Sequence, residues 1–323
     1  MPLETHLVEG KVGLCPGKAI KGMLAHWIAD PRALTPGLSS FFNDQSMRPE
    51  ILTPGSRNPV YSGRCAIAIM IKTPRNGFSK TRLSPPLQSE EAAEISRCFL
   101  RDTSATIESL MRDDQFVVGV AAYTPVGSEP ELAELLPAEF KMLAQRLGDL
   151  GSRLICVTED LFSLGFSAVC LVDSDSPTLP IGHLRAMAAT LKEGADRLVI
   201  GPCTDGGYYL IGMSRSCAEL FDEIDWSTSS VYEQTMTRAK EIDLSTVELP
   251  VWYDVDDKDS LNRLLSELFP ERSMEKVPRG SSAPNTKEFL HRLLTGESAA
   301  RVWPAMAALP LERGDPLPRP RER

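Results

Sequence analysis

The sequence predicts an α/β protein built on a mostly parallel sheet with helices on both faces. Three observations lead there. Cys65-Ala-Ile-Ala-Ile-Met-Ile71 is an unbroken apolar run bounded by Lys72-Thr-Pro74, as in a strand buried on both faces. Further short apolar runs follow it, each separated from the next by a stretch with apolar residues at helical spacing. Hydrophobic residues make up 42 % of the 323-residue chain, enough for a sizeable core, which excludes wholesale disorder, collagen and coiled coil. Such an alternation places ligands at the carboxyl ends of the strands.

Residues 1–62 are rich in Gly and Pro (Cys15-Pro-Gly17, Thr35-Pro-Gly37, Thr53-Pro-Gly55) and carry one amphipathic stripe, Ile20, Met23, Leu24, Trp27 and Ile28. They read as an extension packed on the main domain, which spans 63–270. After the first strand, a helix over 89–112 places Ile95, Phe99, Thr103, Ile107 and Leu110 on one face. Glu90 and Glu91 sit in its first turn, where the helix dipole favours negative charge. A strand over 116–123 leads into an acidic, Pro-containing loop and a helix with Leu150, Leu154, Val157, Leu161 and Leu164 on one face. Then come a strand over 168–173, a helix with Leu184, Met187 and Leu191, and strands over 197–201 and 208–212. A helix from about Thr228, a strand over 247–253 and a helix with Leu261, Leu264, Leu265 and Leu268 close the domain. Residues 271–323 form a C-terminal extension: a polar linker, a short helical patch (Phe289, Leu290, Leu293, Leu294) and a tail from Glu312 with the composition of disorder.

Lys and Arg number 35 against 44 Asp and Glu, a net charge of -9, the wrong sign for a protein that lives on nucleic acid or anionic membrane. The start, Met-Pro-Leu-Glu-Thr-His, lacks the basic-then-apolar pattern of a secretory signal, and no apolar run reaches the ~20 residues of a membrane span, so a cytoplasmic location is expected. The seven cysteines show no CxxC pairing or zinc-ligand spacing and are expected to be reduced, with Cys65 and Cys170 acting as small hydrophobes. His183 reads as a helix-surface residue. Nothing in the sequence sets the oligomeric state.

Against this acidic background, Lys72-Thr-Pro-Arg-Asn-Gly-Phe-Ser-Lys-Thr-Arg-Leu83 stands out, with Lys72, Arg75, Lys80 and Arg82 and no acid. A loop shaped by Pro and Gly77 at the end of a buried strand, carrying ammonium and guanidinium groups, suits a polyphosphate; the bland reading is a solvated basic loop. It is not a P-loop, which would need glycines where the chain has Pro74 and Ser79.

Asp173 and Asp175 lie two apart at a strand end, and extended residues i and i+2 point to one side. Two such carboxylates suit Mg²⁺ or Mn²⁺, hard cations that share oxygen ligands with phosphate, although Asp175 also reads as a helix cap ahead of Pro177 and Pro180. Asp254 and Asp256 repeat the arrangement after Trp252-Tyr253, and Asp257 reads as a cap. Between them, Gly201-Pro-Cys-Thr-Asp-Gly-Gly-Tyr-Tyr-Leu-Ile-Gly212 reverses the chain at Asp205, with Gly206 and Gly207 permitting close approach to the backbone. A plain hairpin needs fewer glycines and tyrosines than this. Serine-hydrolase, zincin and dinucleotide-binding motifs are absent from the sequence.

Taken in order, Lys72-x-Pro-x-x-Gly77-x-x-Lys80-Thr-Arg-Leu83, Gln145-x-x-Gly148-Asp-Leu-Gly-x-Arg153-Leu154, Asp175-x-Pro-x-Leu-Pro180, the 201–212 segment, Trp226-Ser-Thr228 and Asp254-Val-Asp256 resemble the motif set of a bacterial GT-A-like family, the arsenosugar-biosynthesis-type glycosyltransferases. The resemblance runs from about residue 65 to 268. It implies a three-layer nucleotide-diphosphosugar transferase fold. The Lys-Thr-Arg-Leu loop and the Asp-Val-Asp ending are also similar to those of 2-phospholactate guanylyltransferase, so fold membership does not choose the reaction. The GT-A-like family usually has Gly where this chain has Asp173, so the Asp-Ser-Asp here resembles the metal motif of GT-A glycosyltransferases more than its relatives do, and Asp175 is the position that matches.

By this resemblance, Lys72, Gly77, Lys80, Arg82, Gly206 and Gly207 bind nucleotide phosphates, and Lys80, Asp175 and Asp205 are catalytic. Asp175, Asp173, Asp254 and Asp256 form the candidate metal set for Mg²⁺ or Mn²⁺. Trp226 either stacks on a ligand ring or is a structural Trp. The expected function is metal-dependent glycosyl transfer from a nucleotide sugar to a small-molecule acceptor. The alternatives are transfer of NMP from an NTP to a phosphorylated or phosphonylated small molecule, and a catalytically inactive nucleotide-binding protein.

Overall fold

A computed structural model describes residues 48–273 and 276–304. Cys15, the stripe around Trp27 and the tail from Glu312 lie outside the described residues. In chain order the elements are β1 (Glu50–Ile51), β2 (Cys65–Lys72), α1 (Ser89–Asp113), β3 (Val117–Thr124), α2 (Glu129–Ala133), β4 (Lys141–Ala144), α3 (Leu150–Ser163), β5 (Ala168–Val172) and α4 (Ile181–Lys192). They continue with β6 (Arg197–Pro202), β7 (Tyr208–Met213), α5 (Val231–Glu241), β8 (Ser245–Glu248), α6 (Lys258–Leu268), α7 (Pro284–Thr295) and α8 (Ala299–Val302).

The sheet has the order β1-β4-β3-β2-β5-β7-β6-β8. Neighbours are parallel except β7, which is antiparallel to both β5 and β6. Side chains alternate across a strand, so β2 feeds two cores: Cys65, Ile67, Ile69 and Ile71 enter one, Ala66, Ala68 and Met70 the other. The first core is closed by α1, α4, α6 and α7, the second by α3 and α5, which gives the expected three-layer α/β sandwich with a mostly parallel sheet. Ile95, Phe99, Thr103, Ile107 and Leu110 of α1 are all buried, as their spacing requires. Cys65 and Cys170 are free thiols inside the sheet. None of the described helices is long and apolar enough to cross a membrane.

The structure adds elements where the sequence signal is short. β4 lies in what reads as a loop, because four residues after a Pro-containing stretch are too few to show a period; pairing with β1 and β3 makes it a strand. The run expected as one strand over 247–253 is a strand only to Glu248, with a last bond from Leu249 N–H to Ile200 O at 2.8 Å. Pro250 has no N–H to give, and Trp252 contributes an isolated bridge to Cys203. Residues 48–62, assigned by sequence to the N-terminal extension, supply β1 and a single 3-10 turn at Pro59–Tyr61.

The helical patch near Phe289 is held to the domain by its cap. The buried Asp102 carboxylate of α1 accepts hydrogen bonds from the Asn285 and Thr286 backbone N–H groups (3.1 and 2.8 Å) and from Asn285 Nδ2 at 2.7 Å. These satisfy donors that every helix start leaves open.

Candidate functional site

The chemistry converges at the carboxyl ends of β2 and β5, joined by the segment after Trp252. A cleft of about 220 Å³ there is lined by Lys72, Lys80, Arg82, Asp175 and Asp256, among others. Two larger hollows, of about 600 and 510 Å³, lie at the amino ends of the strands around Arg64, Phe116 and Ser167 and around Tyr61, Val117 and Lys141. Their ion pairs, Lys192 with Asp114 at 3.1 Å and Lys141 with Glu50 at 2.9 Å, are single and partly exposed, whereas the cleft holds one covered ammonium between two carboxylates, so the convergence of charge and not size locates the site.

The basic loop is tightly built. Gly77 takes a positive φ of 75°, and Arg75 closes the turn: its O accepts from the Phe78 and Ser79 N–H groups, and its N–H donates to Ser79 Oγ at 2.9 Å. Asn76 Nδ2 donates to Glu90 Oε1 at 2.7 Å, tying the loop to α1. Lys80 then adopts a left-handed backbone, φ 49°, uncommon for a residue with a side chain. This turn, followed by the 3-10 segment Thr81–Leu83 anchored on buried Leu83, sends the Lys80 side chain inward.

There Lys80 Nζ lies 2.8 Å from Asp175 Oδ1 and 2.6 Å from Asp256 Oδ1, with its side chain only 6 % exposed. Burial by itself lowers the ammonium pKa, but the two carboxylates outweigh it and the net shift is upward, so Lys80 stays charged. Lys72 and Arg82 remain exposed at the cleft. The structure thus brings together Lys72, Lys80, Arg82, Asp175 and Asp256 from three separate sequence motifs.

The two inner aspartates behave differently. Asp173 Oδ1 accepts from the Asp175 and Ser176 N–H groups at 2.9 and 3.0 Å, and Oδ2 from Ser176 Oγ at 2.9 Å. The helix-cap role read onto Asp175 is filled by neither aspartate: α4 starts after Pro180 with no side-chain cap, and the Asp173 bonds stay inside its own turn. Its pKa is raised well above the usual carboxylate range by burial, then by Asp175 and Asp254. Asp254 forms no ion pair among the described residues; burial, then Asp256 and Asp205, push its pKa up to about 7.

Asp205 is exposed, with Oδ1 accepting from Gly207 N–H at 2.9 Å. Gly206 has φ 91°, and a Cβ there would stand 2.1 Å from Ser229 O, so close packing of two backbones already requires this glycine without a ligand. Asp257 caps α6 through Ser260 N–H at 2.8 Å.

Among the described residues one group has metal-ligand proximity: Cys203 Sγ and carboxylate oxygens of Asp205 and Asp254, all within 4.8 Å of one another. Burial raises the Cys203 pKa, and a thiol is a soft donor that matches a hard divalent cation poorly. The remaining oxygen donors fit a hard divalent cation; the upward shift of Asp254 comes first from burial and only then from Asp256 and Asp205. Compared with the expected set of Asp173, Asp175, Asp254 and Asp256, this arrangement brings Asp205 in, engages Asp173 in its own loop, and leaves Asp175 and Asp256 held by Lys80.

Other residues have structural work. Trp226 covers the first turn of α3: a Cβ on Gly151 would meet Trp226 Nε1 at 2.5 Å, so the Trp is a packing residue. His183 is half-buried; its Nδ1 lies 2.9 Å from Tyr209 Oη, which donates to Pro250 O. Gln145 and Arg153, part of the recognised motif set, were given no role by sequence. Gln145 Nε2 donates to Ala122 O at 2.6 Å and Ile71 O at 3.3 Å, and Arg153 Nη1 donates to Gln145 Oε1 at 3.2 Å, locking together the ends of β2, β3 and β4.

Residues 106–228 match the family described as an uncharacterized protein conserved in bacteria (DUF2064). No curated protein matches the sequence. Among solved structures, the chain is similar to a candidate nucleotide-diphospho-sugar transferase from Desulfovibrio desulfuricans G20, with 27 % identity over 75 % of this chain and 98 % of that one and a TM-score of 0.62. More distant similarities are to a CMP:2-keto-3-deoxy-manno-octonic acid synthetase complexed with CTP (11 % identity, 64 % of this chain and 99 % of that one, TM-score 0.42) and to a Mycobacterium tuberculosis H37Rv protein in complex with manganese (15 %, 64 % and 99 %, 0.38). The Desulfovibrio protein, aligned over nearly its whole length, gives this chain the fold of the nucleotide-diphospho-sugar transferases.

Proposed function

We propose that this chain is a nucleotide-utilising transferase that moves a glycosyl group from a nucleotide-diphosphate sugar to a small-molecule acceptor. The observation that carries the reading is the cleft in which Lys80 joins Asp175 and Asp256 beneath Lys72 and Arg82. The similarity to the Desulfovibrio protein supports it. In the reaction the bond from the sugar's anomeric carbon to the donor phosphate oxygen breaks, a bond to an acceptor hydroxyl oxygen forms as that hydroxyl loses its proton to solvent, and the nucleoside diphosphate leaves with the added charge.

Lys72 and Arg82 hold the diphosphate by charge-assisted hydrogen bonds and offset that charge. Lys80 positions Asp175 and Asp256 and adds a third positive charge to those of Lys72 and Arg82. Asp254 and Asp205 would hold a divalent cation, Mg²⁺ or Mn²⁺. When bound, that cation supplies Lewis-acid neutralisation of phosphate charge.

Nucleotidyl transfer from an NTP is the second reading, favoured by the density of basic residues in the 72–82 loop. Internal pairing of Lys80 counts against it, since that pair leaves less positive charge for a triphosphate. The test is incubation with Mg²⁺ or Mn²⁺ and separate panels of nucleotide sugars and NTPs. Release of a nucleoside diphosphate with sugar transfer or hydrolysis is expected. Pyrophosphate release from an NTP would establish the second reading instead, and absence of nucleotide-dependent thermal stabilisation would defeat both.

A further inference from the structure

Phe78 sits at the tip of the basic loop and is 68 % exposed. Among the described residues it is the only Phe, Tyr or Trp that is exposed; the others are buried or half-buried. It also lines the cleft beside Lys72, Lys80, Arg82 and Asp175. A solvent-facing aromatic ring forgoes the burial that favours such a side chain. The loop does not let it collapse onto the core: Arg75 O accepts from the Phe78 and Ser79 N–H groups, Ser79 Oγ accepts from Arg75 N–H, and Asn76 is tied to Glu90. The ring is therefore held out in a pre-organised position.

The cleft's size says what the ring meets. At about 220 Å³ it is smaller than the roughly 300–1,000 Å³ of pockets that enclose a small organic ligand. A nucleoside diphosphate cannot be swallowed whole, so part of it lies on the rim. Lys80 is covered and paired with Asp175 and Asp256, so the exposed Lys72 and Arg82 in the cleft are the groups that take the phosphates. The part left for the rim is the flat, weakly polar base, and Phe78, which lines the same cleft, is the flat apolar surface there.

Resting on the nucleotide reading above, we propose that Phe78 is a stacking platform for the nucleobase of the donor. It contributes affinity through ring-on-ring contact, with little base selectivity, because every base offers a π-face. Pyrophosphate, which lacks a base, gains nothing from it.

The test is calorimetric titration of wild-type protein, Phe78→Ala and Phe78→Trp with a panel of nucleoside diphosphates and with pyrophosphate, in Mg²⁺. Phe78→Ala is expected to weaken every nucleoside diphosphate that binds by about tenfold. It should leave pyrophosphate affinity unchanged, and Phe78→Trp should retain wild-type affinity. If the wild type binds nucleoside diphosphates and Phe78→Ala binds them equally well, the stacking role is overturned while the nucleotide reading stands. An equal loss for pyrophosphate would show that the loop, not the ring, was damaged, and would also overturn it. An acceptor KM raised with donor affinity unchanged would reassign the ring to the acceptor. A wild type that binds no nucleotide removes both proposals together. Because the side chain is exposed, neither substitution is expected to move the melting temperature of the free protein.

Discussion

Asp173-x-Asp175 and Asp254-x-Asp256 are the same motif twice, and both second aspartates grip one ammonium, that of Lys80, at 2.8 and 2.6 Å. The first aspartates differ. Asp173 accepts three hydrogen bonds from its own loop, whereas Asp254 forms no ion pair among the described residues, and Asp256 and Asp205 outweigh the opposing pull of Lys80 on it. Burial raises both pKa values, but only Asp173 spends its oxygens on architecture. The lesson is that an i, i+2 carboxylate pair at a strand end fixes a direction, while the neighbours decide whether each oxygen is a structural acceptor or an open ligand.

Removing Lys80 tests the shared feature and has the largest expected effect. Lys80→Met leaves Asp175 and Asp256 facing each other without a cation and takes positive charge from the cleft floor, so turnover is expected to fall about 100-fold or more. Steady-state kinetics within a few-fold of wild type would mean the triad is mere packing. The inner aspartates are separated next by urea denaturation at pH 8 without metal. Asp173→Ala is expected to cost about 2–3 kcal/mol, because it orphans donors in a half-buried loop. Asp254→Asn is expected to stabilise, because it removes a charge that burial and two carboxylates disfavour. Shifts of the same sign would erase the distinction.

A pH series sharpens it further. The folded-state pKa of Asp254, about 7, lies above its unfolded value, so the folded protein binds more protons across that interval. Stability from this group is full below the unfolded value, falls as pH rises toward 7, and is level above it. The loss is on the order of 1–2 kcal/mol, allowing for coupling to its neighbours. Asp254→Asn should flatten the profile between pH 5 and 8. Mn²⁺ should raise the wild-type melting temperature by a few degrees at pH 8 and by less at pH 5.5, and should leave Asp254→Asn unmoved; an undiminished response in that variant would place the cation elsewhere. The smallest effect belongs to Asp257→Ala, about 1 kcal/mol for a lost cap, with no change in nucleotide affinity.

The layered architecture was legible because β2, β3 and β5 are apolar on both faces and α1 and α3 carry complete stripes. β4 and the short extent of β8 were not legible: each is four residues, and pairing partners far along the chain define them. The site was partly legible. Lys72, Lys80, Arg82, Asp175 and Asp256 do meet in one cleft, yet the phosphate role read onto Lys80 carries no hint that it also closes on both carboxylates. Gly206 shows the reverse case, a residue marked for ligand approach that the Ser229 backbone already requires.

Local chemistry, carried by residue type and spacing, determined the alternation of buried strands and amphipathic helices, the basic loop in an acidic chain and the two carboxylate pairs. Which oxygen serves as cap, ion-pair partner or open ligand was decided only by the tertiary structure. The left-handed turn at Lys80 carries its ammonium to aspartates 95 and 176 positions away, and electrostatics at that range depends on distance and burial in the fold, not on separation in sequence.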